Sequence, residues 1–148
     1  MTDGQLHVEA EGVSRATPEA VWSLVADATT FSQWGPWDAS GYERPGVDSP
    51  GGVGAVQRLR SGRTTSREQI VEVDVGRRLV YTVIGGIPVR NYRGEVTLAP
   101  TAGGTHIRWA ATWDRSLLGR LVQRKLRSFY PDMMVRLVAA ADRGATTP

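Results

Sequence analysis

Hydrophobic and polar residues alternate along several stretches of the chain, and this period of two predicts β-strands. In the first stretch, QLHVEAEGV, apolar side chains at Leu6, Val8 and Ala10 alternate with polar ones. A later stretch, THIRWAATWD, places Trp109 and Trp113 on one side and polar groups on the other. Similar stretches, separated by glycine-rich turns, lie between these two. The pattern predicts one strand, then helices, then six consecutive strands.

Two other stretches carry the signals of helices. Thr17 is a favourable N-cap residue before Pro18, which suits the first helical position, and Asp27 is expected to cap a second short helical turn. Residues 115–142 carry an apolar stripe with a spacing of three or four, which predicts a long helix. Because the stripe keeps its phase across Pro131, a kink is favoured over a break. The predicted stripe consists of Leu118, Val122, Leu126, Phe129, Met133, Leu137 and Ala140.

This order of elements determines the expected fold class. Consecutive strands joined by short turns pair antiparallel. We therefore expect an α+β fold with one large antiparallel sheet, whose apolar face is covered by the C-terminal helix. The 148 residues suggest a single domain over residues 1–148, with a frayed tail over residues 143–148.

Composition narrows the possible function classes. The chain has no cysteine, which excludes disulfide bonds and thiolate chemistry. The segment MTDGQLHVEAEG has no features of a secretory signal, and no stretch approaches the roughly 20 apolar residues of a membrane span. A cytoplasmic location is therefore expected. The net charge of +3 is too small to argue for a nucleic-acid partner.

Signals for metal, nucleophilic or nucleotide chemistry are weak. The two histidines, His7 and His106, lie out of phase with the apolar residues of their strands, so neither a metal site nor a cofactor is expected. The chain has no Gly-x-Ser-x-Gly motif. The sequence GGVG at residues 51–54 lacks the lysine and the strand-to-helix context of a phosphate-binding loop.

Several motifs together resemble a known family. The segments TPEAVWSLVAD, FSQW, GVGAVQRLR, RRLVYTV, IPVRNYRGEVTL and GGTHIRW, followed by an amphipathic helix, resemble the polyketide cyclase/dehydrase branch of the START-like (SRPBCC, helix-grip) superfamily. The resemblance spans nearly the whole chain. It implies a seven-stranded antiparallel sheet curled around the C-terminal helix, with two short helices after the first strand. It also implies an internal hydrophobic cavity, and it does not imply one particular reaction.

The resemblance directs attention to residues expected at such a cavity. Trp34 and Trp37 flank a Gly-Pro turn, and two interpretations stay open for them: a lid over the cavity, or core residues that hold the helices on the sheet. Arg58, Tyr81 and Tyr92 are candidate polar groups that orient a ligand, and an exposed position on a strand is the favoured alternative for Arg58. The candidate apolar lining is Trp109, Trp113, Phe129 and Met133, for which ordinary core packing is the alternative.

Acidic residues on the predicted strands are candidates for acid–base catalysis. A carboxyl group inside a cavity has a raised pKa and is able to exchange protons with a ligand. Glu68, Glu72 and Glu95 all lie on strands, and the favoured interpretation is that they cover a solvated sheet face. Glu68 is the best candidate for a carboxyl group inside the cavity, because the apolar Ile70 lies on the same face of the strand. Glu72 lies on that face as well, which weakens the argument.

The first half of the last helix is rich in arginine. Arg120, Arg124 and Arg127 lie there with Arg115 and Lys125. The favoured interpretation is a solvated face, and an acidic partner protein is the best functional alternative. Stable membrane insertion is not expected, because the apolar face of this helix is needed to pack on the sheet.

Three functions remain open. The first is binding or transport of a small hydrophobic molecule, such as a lipid, polyketide or isoprenoid-like compound. The second is an enzyme of the polyketide cyclase/dehydrase type that uses the same cavity. The third is a protein-interaction role, such as a toxin–antitoxin component, through the basic helix. Whether the protein is an enzyme is left undecided by the sequence.

Overall fold

A computed structural model describes residues 4–145 and contains one seven-stranded antiparallel sheet. The strands are ordered β1-β7-β6-β5-β4-β3-β2 across the sheet. The predicted α+β helix-grip architecture is thus confirmed. The strands are β1 Gln5–Ser14, β2 Ala39–Arg44, β3 Val56–Ser61, β4 Thr64–Asp74, β5 Arg78–Gly85, β6 Arg93–Thr101 and β7 Gly104–Asp114.

Two short helices follow β1, as predicted. Helix α1 spans Pro18–Val25, and the Thr17 hydroxyl caps it by accepting a hydrogen bond from the Ala20 backbone N–H at 3.2 Å. A single 3-10 turn, Ala28–Thr30, begins at Asp27, whose carboxylate accepts from the Thr29 N–H at 3.0 Å. Helix α2, Phe31–Trp34, continues from this turn. The caps satisfy backbone N–H groups that a helix start leaves unpaired.

The C-terminal helix α3 spans Leu117–Ala145 and continues through Pro131. Pro131 lies on the exposed side, where water is able to satisfy the carbonyl that loses its partner. The Asp142 carboxylate accepts from the Ser14 hydroxyl at 2.6 Å, which ties this end of α3 to β1. Helix α3 includes residues 143–145, the first part of the segment that was expected to be a frayed tail. The rest of that segment, residues 146–148, lies outside the described part of the chain.

The inner face of the sheet and one side of α3 form the core. Ile107, Trp109 and Trp113 on β7 are buried as predicted, and so are Met133 and Leu137 on α3. The sequence interpretation was wrong for the start of the stripe. Leu118 is 53% exposed, because the first turn of α3 packs against Trp113 through its neighbour Gly119, which is buried.

Gly94 on β6 makes room for an aromatic side chain of the core. It pairs with Tyr81 of β5, whose ring lies directly against the glycine Cα. A Cβ atom at residue 94 would overlap that ring. The position of the Tyr81 hydroxyl therefore depends on a glycine in the neighbouring strand.

We predict that G94A destabilises the protein by about 1–3 kcal/mol, because the Tyr81 ring has to leave its packed position. Urea unfolding at pH 7 measures this change. The matched control is G41A on β2, where an added Cβ meets no atom within 4 Å. A G94A variant as stable as G41A would show that the Tyr81 ring is not constrained by Gly94.

Candidate functional site

A cavity of about 220 Å³ lies between the sheet and the first half of α3. It opens to solvent between the β3–β4 turn, the β5–β6 loop and α3, where the exposed residues Gly86, Pro88 and Lys125 form part of its wall. Its volume exceeds the ~150 Å³ of an engineered cavity that binds benzene. Most of the wall is apolar, and it includes Trp37, Leu59, Trp109, Leu126, Phe129 and Met133.

Three tyrosine hydroxyls form a hydrogen-bonded group on the cavity wall, which we call the tyrosine cluster: Tyr81, Tyr92 and Tyr130. The Tyr130 oxygen lies 2.7 Å from that of Tyr92 and 3.4 Å from that of Tyr81. The Trp109 indole N–H donates to the Tyr81 oxygen at 2.9 Å. The cluster thus joins β5, α3 and the segment before β6 across the cavity.

The tyrosine cluster keeps a proton for a further partner. Three hydroxyl groups supply three protons, and the two contacts between them use at most two. Burial raises the pKa of Tyr130 to about 12 and also raises the pKa values of Tyr81 and Tyr92, so all three hydroxyls keep their protons at neutral pH. At least one O–H is therefore available to an acceptor on a ligand.

Glu68 is a buried carboxyl group on the same wall. It is 8% exposed, and its Oε1 accepts a hydrogen bond from the side-chain amide of Gln57 at 2.9 Å. Burial raises the pKa of Glu68 to about 7, and the Gln57 hydrogen bond lowers it less than burial raises it. At neutral pH the group therefore exists in both protonation states, and it is able to donate or accept a proton.

The favoured interpretation of the three strand carboxylates was wrong for Glu68 and right for the other two. Glu72 and Glu95 lie on the outer face, where Glu72 pairs with Arg93 and Glu95 pairs with Arg78. The reason is a break in the β4–β5 register between Ile70 and Glu72. The strand changes phase there, so Glu68 and Ile70 point inward whereas Glu72 points out.

The structure brings six of the nine predicted site residues to the cavity wall. They are Trp37, Tyr81, Tyr92, Trp109, Phe129 and Met133. Arg58, Trp34 and Trp113 do not line the cavity.

Arg58 lies on the outer face of the sheet, 4.0 Å from Glu43. Its neighbours in β3, Gln57 and Leu59, are buried. Leu59 therefore points toward the cavity side of the sheet, and the adjacent Arg58 points to the opposite face. The apolar Leu59 could have shown this in the sequence, because adjacent residues of a strand point to opposite faces.

The two tryptophans of the Gly-Pro turn have different surroundings. Trp34 is 6% exposed, packs edge-on against Phe31, and donates its N–H to the Thr30 hydroxyl at 3.2 Å. Trp37 is only partly buried, stacks on Phe31, and meets the ring of Phe129 on α3 with 5.5 Å between ring centroids. Trp34 is thus a core residue, and Trp37 closes one side of the cavity.

Trp113 is fully buried behind the tyrosine cluster. Its ring stacks on Tyr92 with a 5.5 Å separation between centroids, and its N–H donates to the Gly119 carbonyl at 3.0 Å. It therefore supports a cavity residue from behind rather than forming the wall.

Sequence reasoning missed Tyr130, the central member of the cluster. Tyr130 follows Phe129 and lies one turn before Met134, so it continues the buried side of α3. The apolar stripe predicted from the sequence included the adjacent Phe129 and left out Tyr130. Gln57 and Ser66 were missed as well, because isolated polar residues on a strand usually mark its solvent face.

No group of three metal-ligating side chains is close enough to hold an ion among residues 4–145. His7 and His106 are both partly exposed and contact Glu9 and Glu11, respectively. Within the same range, no helix is both long enough and apolar enough to cross a membrane.

A sequence model of one family matches residues 5–142 and is described as polyketide cyclase/dehydrase and lipid transport. The chain belongs to this family. The match covers all seven strands and nearly all of α3, and it confirms the resemblance inferred from the motifs. No curated protein matches the chain significantly.

Solved structures of the same fold are numerous. The Zhui aromatase/cyclase from Streptomyces sp. R1128 aligns with a TM-score of 0.80 at 16% identity, over 97% of each chain. The protein XoxI from Bacillus cereus aligns with a TM-score of 0.76 at 17% identity, over 95% of this chain and 99% of that one. A protein from Thermobifida fusca is 25% identical, with a TM-score of 0.73 over 94% and 93% of the two chains.

The pKa of Glu68 predicts how stability depends on pH. The folded protein keeps a proton on Glu68 that the unfolded chain releases above its ordinary pKa of 4.5. The free energy of unfolding should therefore fall as pH rises from about 4.5 to about 7, by up to about 3 kcal/mol, and then stay level with respect to this group.

Urea unfolding of wild type and E68Q at pH 5 and pH 8 measures this effect. Relative to wild type, E68Q should be more stable at pH 8 than at pH 5, since glutamine carries no charge to bury. E19Q, at an exposed position in α1, controls for the loss of one carboxylate. A stability difference between wild type and E68Q that does not change with pH would contradict the assignment.

Proposed function

We propose that the protein binds a small hydrophobic molecule in the cavity between the sheet and α3. The observation that carries the proposal is the division of the wall, which is apolar over most of its surface and polar at the tyrosine cluster and Glu68. Ligand sites commonly combine an apolar lining with a few convergent polar groups.

Burial of apolar surface supplies the binding energy in this proposal. At about 25 cal/mol per Å², a ligand that hides about 200 Å² gains about 5 kcal/mol before the costs of association. The volume of about 220 Å³ favours a molecule of one or two rings, or a short chain. A longer ligand would extend through the opening beside Lys125.

The polar groups set the orientation of the ligand. The unused hydroxyl proton of the tyrosine cluster donates to a ligand oxygen, and Glu68 either donates to or accepts from a neighbouring group. Trp37 acts as the movable side of the cavity, because it is only partly buried and packs edge-on against the ring of Phe129 on α3. Trp34 stays fixed in the core.

The comparisons support this proposal at the level of the family. The description of the family includes lipid transport, and one structural neighbour is described as an aromatase/cyclase.

A narrowed cavity should bind less ligand. We predict that T64W, which places an indole at the cavity opening, weakens the binding of N-phenyl-1-naphthylamine by at least about tenfold, or 1.4 kcal/mol. The fluorescence of this apolar probe measures its binding. V71W is the matched control, because Val71 lies on the same strand but outside the cavity wall. Equal binding by both variants, or no binding by the wild type, would contradict the proposal.

A second candidate function is an enzyme of the polyketide cyclase/dehydrase type. Glu68 is the observation that favours it, since a purely passive binding cavity has no need for a carboxyl group that titrates near neutral pH. As a carboxylate, Glu68 would remove a proton from the carbon beside a ligand carbonyl. A tyrosine hydroxyl would stabilise the resulting enolate by a hydrogen bond.

Hydrogen exchange distinguishes the two functions. If Glu68 acts as a base, the protein should accelerate deuterium uptake into the methyl group of 2-acetylnaphthalene in D₂O, and the rate should rise with pH through about 7. NMR spectroscopy measures the uptake. E68Q should lose the acceleration but still bind the ketone. Equal rates for wild type, E68Q and buffer would exclude this proton transfer and leave binding as the function.

A further inference from the structure

The first turns of α3 expose leucines beside cations, next to the cavity opening. Leu117 is 80% exposed, Leu118 is 53% exposed and Leu121 is 57% exposed. These leucines do not pack on the sheet. We call them and the neighbouring cations the mouth surface: Leu117, Leu118, Leu121, Arg120, Arg124 and Lys125.

Leucines and cations alternate across the exposed side of α3. Leu117 and Leu121 are one turn apart and form one row, and Arg120 and Arg124 form the adjacent row. Lys125 lies on the other side of Leu121. The surface is therefore neither a buried stripe nor a purely polar solvated face, but an apolar centre flanked by positive charge.

The charge of the mouth surface has one sign. Residues 115–131 contain five basic residues and no acidic one. Within the part of the chain that the structure describes, no carboxylate pairs with the side chains of Arg120, Arg124 or Lys125. A complementary partner must therefore be anionic and must also accept aliphatic side chains.

The mouth surface adjoins the cavity. Lys125 belongs to both, and Pro88 lies in the cavity wall as well as in a shallow groove with Leu117 and Leu118. A partner that covers the mouth surface therefore lies at the opening through which a ligand passes.

We infer that the mouth surface adsorbs to an anionic lipid bilayer, with the three leucines in the headgroup region and the flanking cations at the lipid phosphates. A bilayer satisfies both requirements, because its surface is negative and its interior accepts leucine side chains without a preformed groove. Adsorption requires no unfolding, since these leucines are already exposed. It is a surface attachment, distinct from insertion of α3, and it does not depend on whether the cavity holds a ligand.

A single fluorescent label tests the inference directly. The chain has no cysteine, so L121C and V75C each provide one labelling site for a nitrobenzoxadiazole dye in the full-length protein. Val75 is 77% exposed in the β4–β5 turn and is the matched control. With vesicles of phosphatidylcholine and 30% phosphatidylglycerol, the label at residue 121 should gain intensity and shift to shorter wavelength, while the label at residue 75 should not change.

Charge reversal separates specific docking from general attraction. R120E/R124E in the L121C background should weaken partition onto these vesicles by about tenfold or more. R44E/R77E is the control, because both arginines are exposed at the opposite end of the sheet. Each Arg→Glu change replaces a positive charge with a negative one, so both double variants have a net charge of −1 instead of +3. Circular dichroism checks that both remain folded.

Several outcomes would overturn the inference. One is unchanged fluorescence of the label at residue 121 when anionic vesicles are added. This measurement needs only the L121C protein and no charge-reversed variant. Another is an equal response at residues 75 and 121, or an equal response to vesicles of phosphatidylcholine alone. Equal losses in the two charge-reversed variants would show only general attraction. A response to polyglutamate but not to vesicles would replace the bilayer with an acidic protein.

Discussion

The contact that the rest of the site depends on is the link from Tyr130 of α3 to Tyr81 and Tyr92 on the far side of the cavity. Helix α3 packs closely against β1 and β7, near one edge of the sheet. The space between α3 and the strands toward the other edge is the cavity, and in its wall the Tyr130 hydroxyl is hydrogen-bonded to those of Tyr81 and Tyr92. Phenol groups suit this position because each combines an apolar ring with one polar atom that needs a partner.

Burial of polar groups in this space explains both the raised pKa of Glu68 and the stability that the protein loses at high pH. The tyrosine hydroxyls hydrogen-bond to one another and leave one proton unused, Trp109 donates to Tyr81, and Gln57 donates to Glu68. Glu68 has only a neutral amide as its hydrogen-bond partner, which is why its pKa rises to about 7. A site with a carboxyl group held in this way is less stable at high pH than an apolar one, and such a loss is common where a protein keeps a functional group.

The fold was predictable from the sequence because alternation and capping act locally. Thr17, Asp27 and the strand patterns each specify an element without help from the rest of the chain. The site was only partly predictable. The phase of β4 changes at a register break between Ile70 and Glu72, which depends on pairing with β5, so Glu68 and Glu72 looked alike. Leu118 is exposed because Gly119 takes the buried position in the first turn of α3, and a glycine gives no signal in a pattern of apolar residues.

A crystal structure of the protein grown with 2-naphthol tests the central claim, which is that the space between the sheet and α3 accepts an apolar guest with its polar end toward the tyrosines. The account predicts naphthol in the cavity, with its oxygen within hydrogen-bond distance of Glu68 or of a tyrosine of the cluster. It is contradicted if the rings of Trp37 and Phe129 fill the space and no guest is bound.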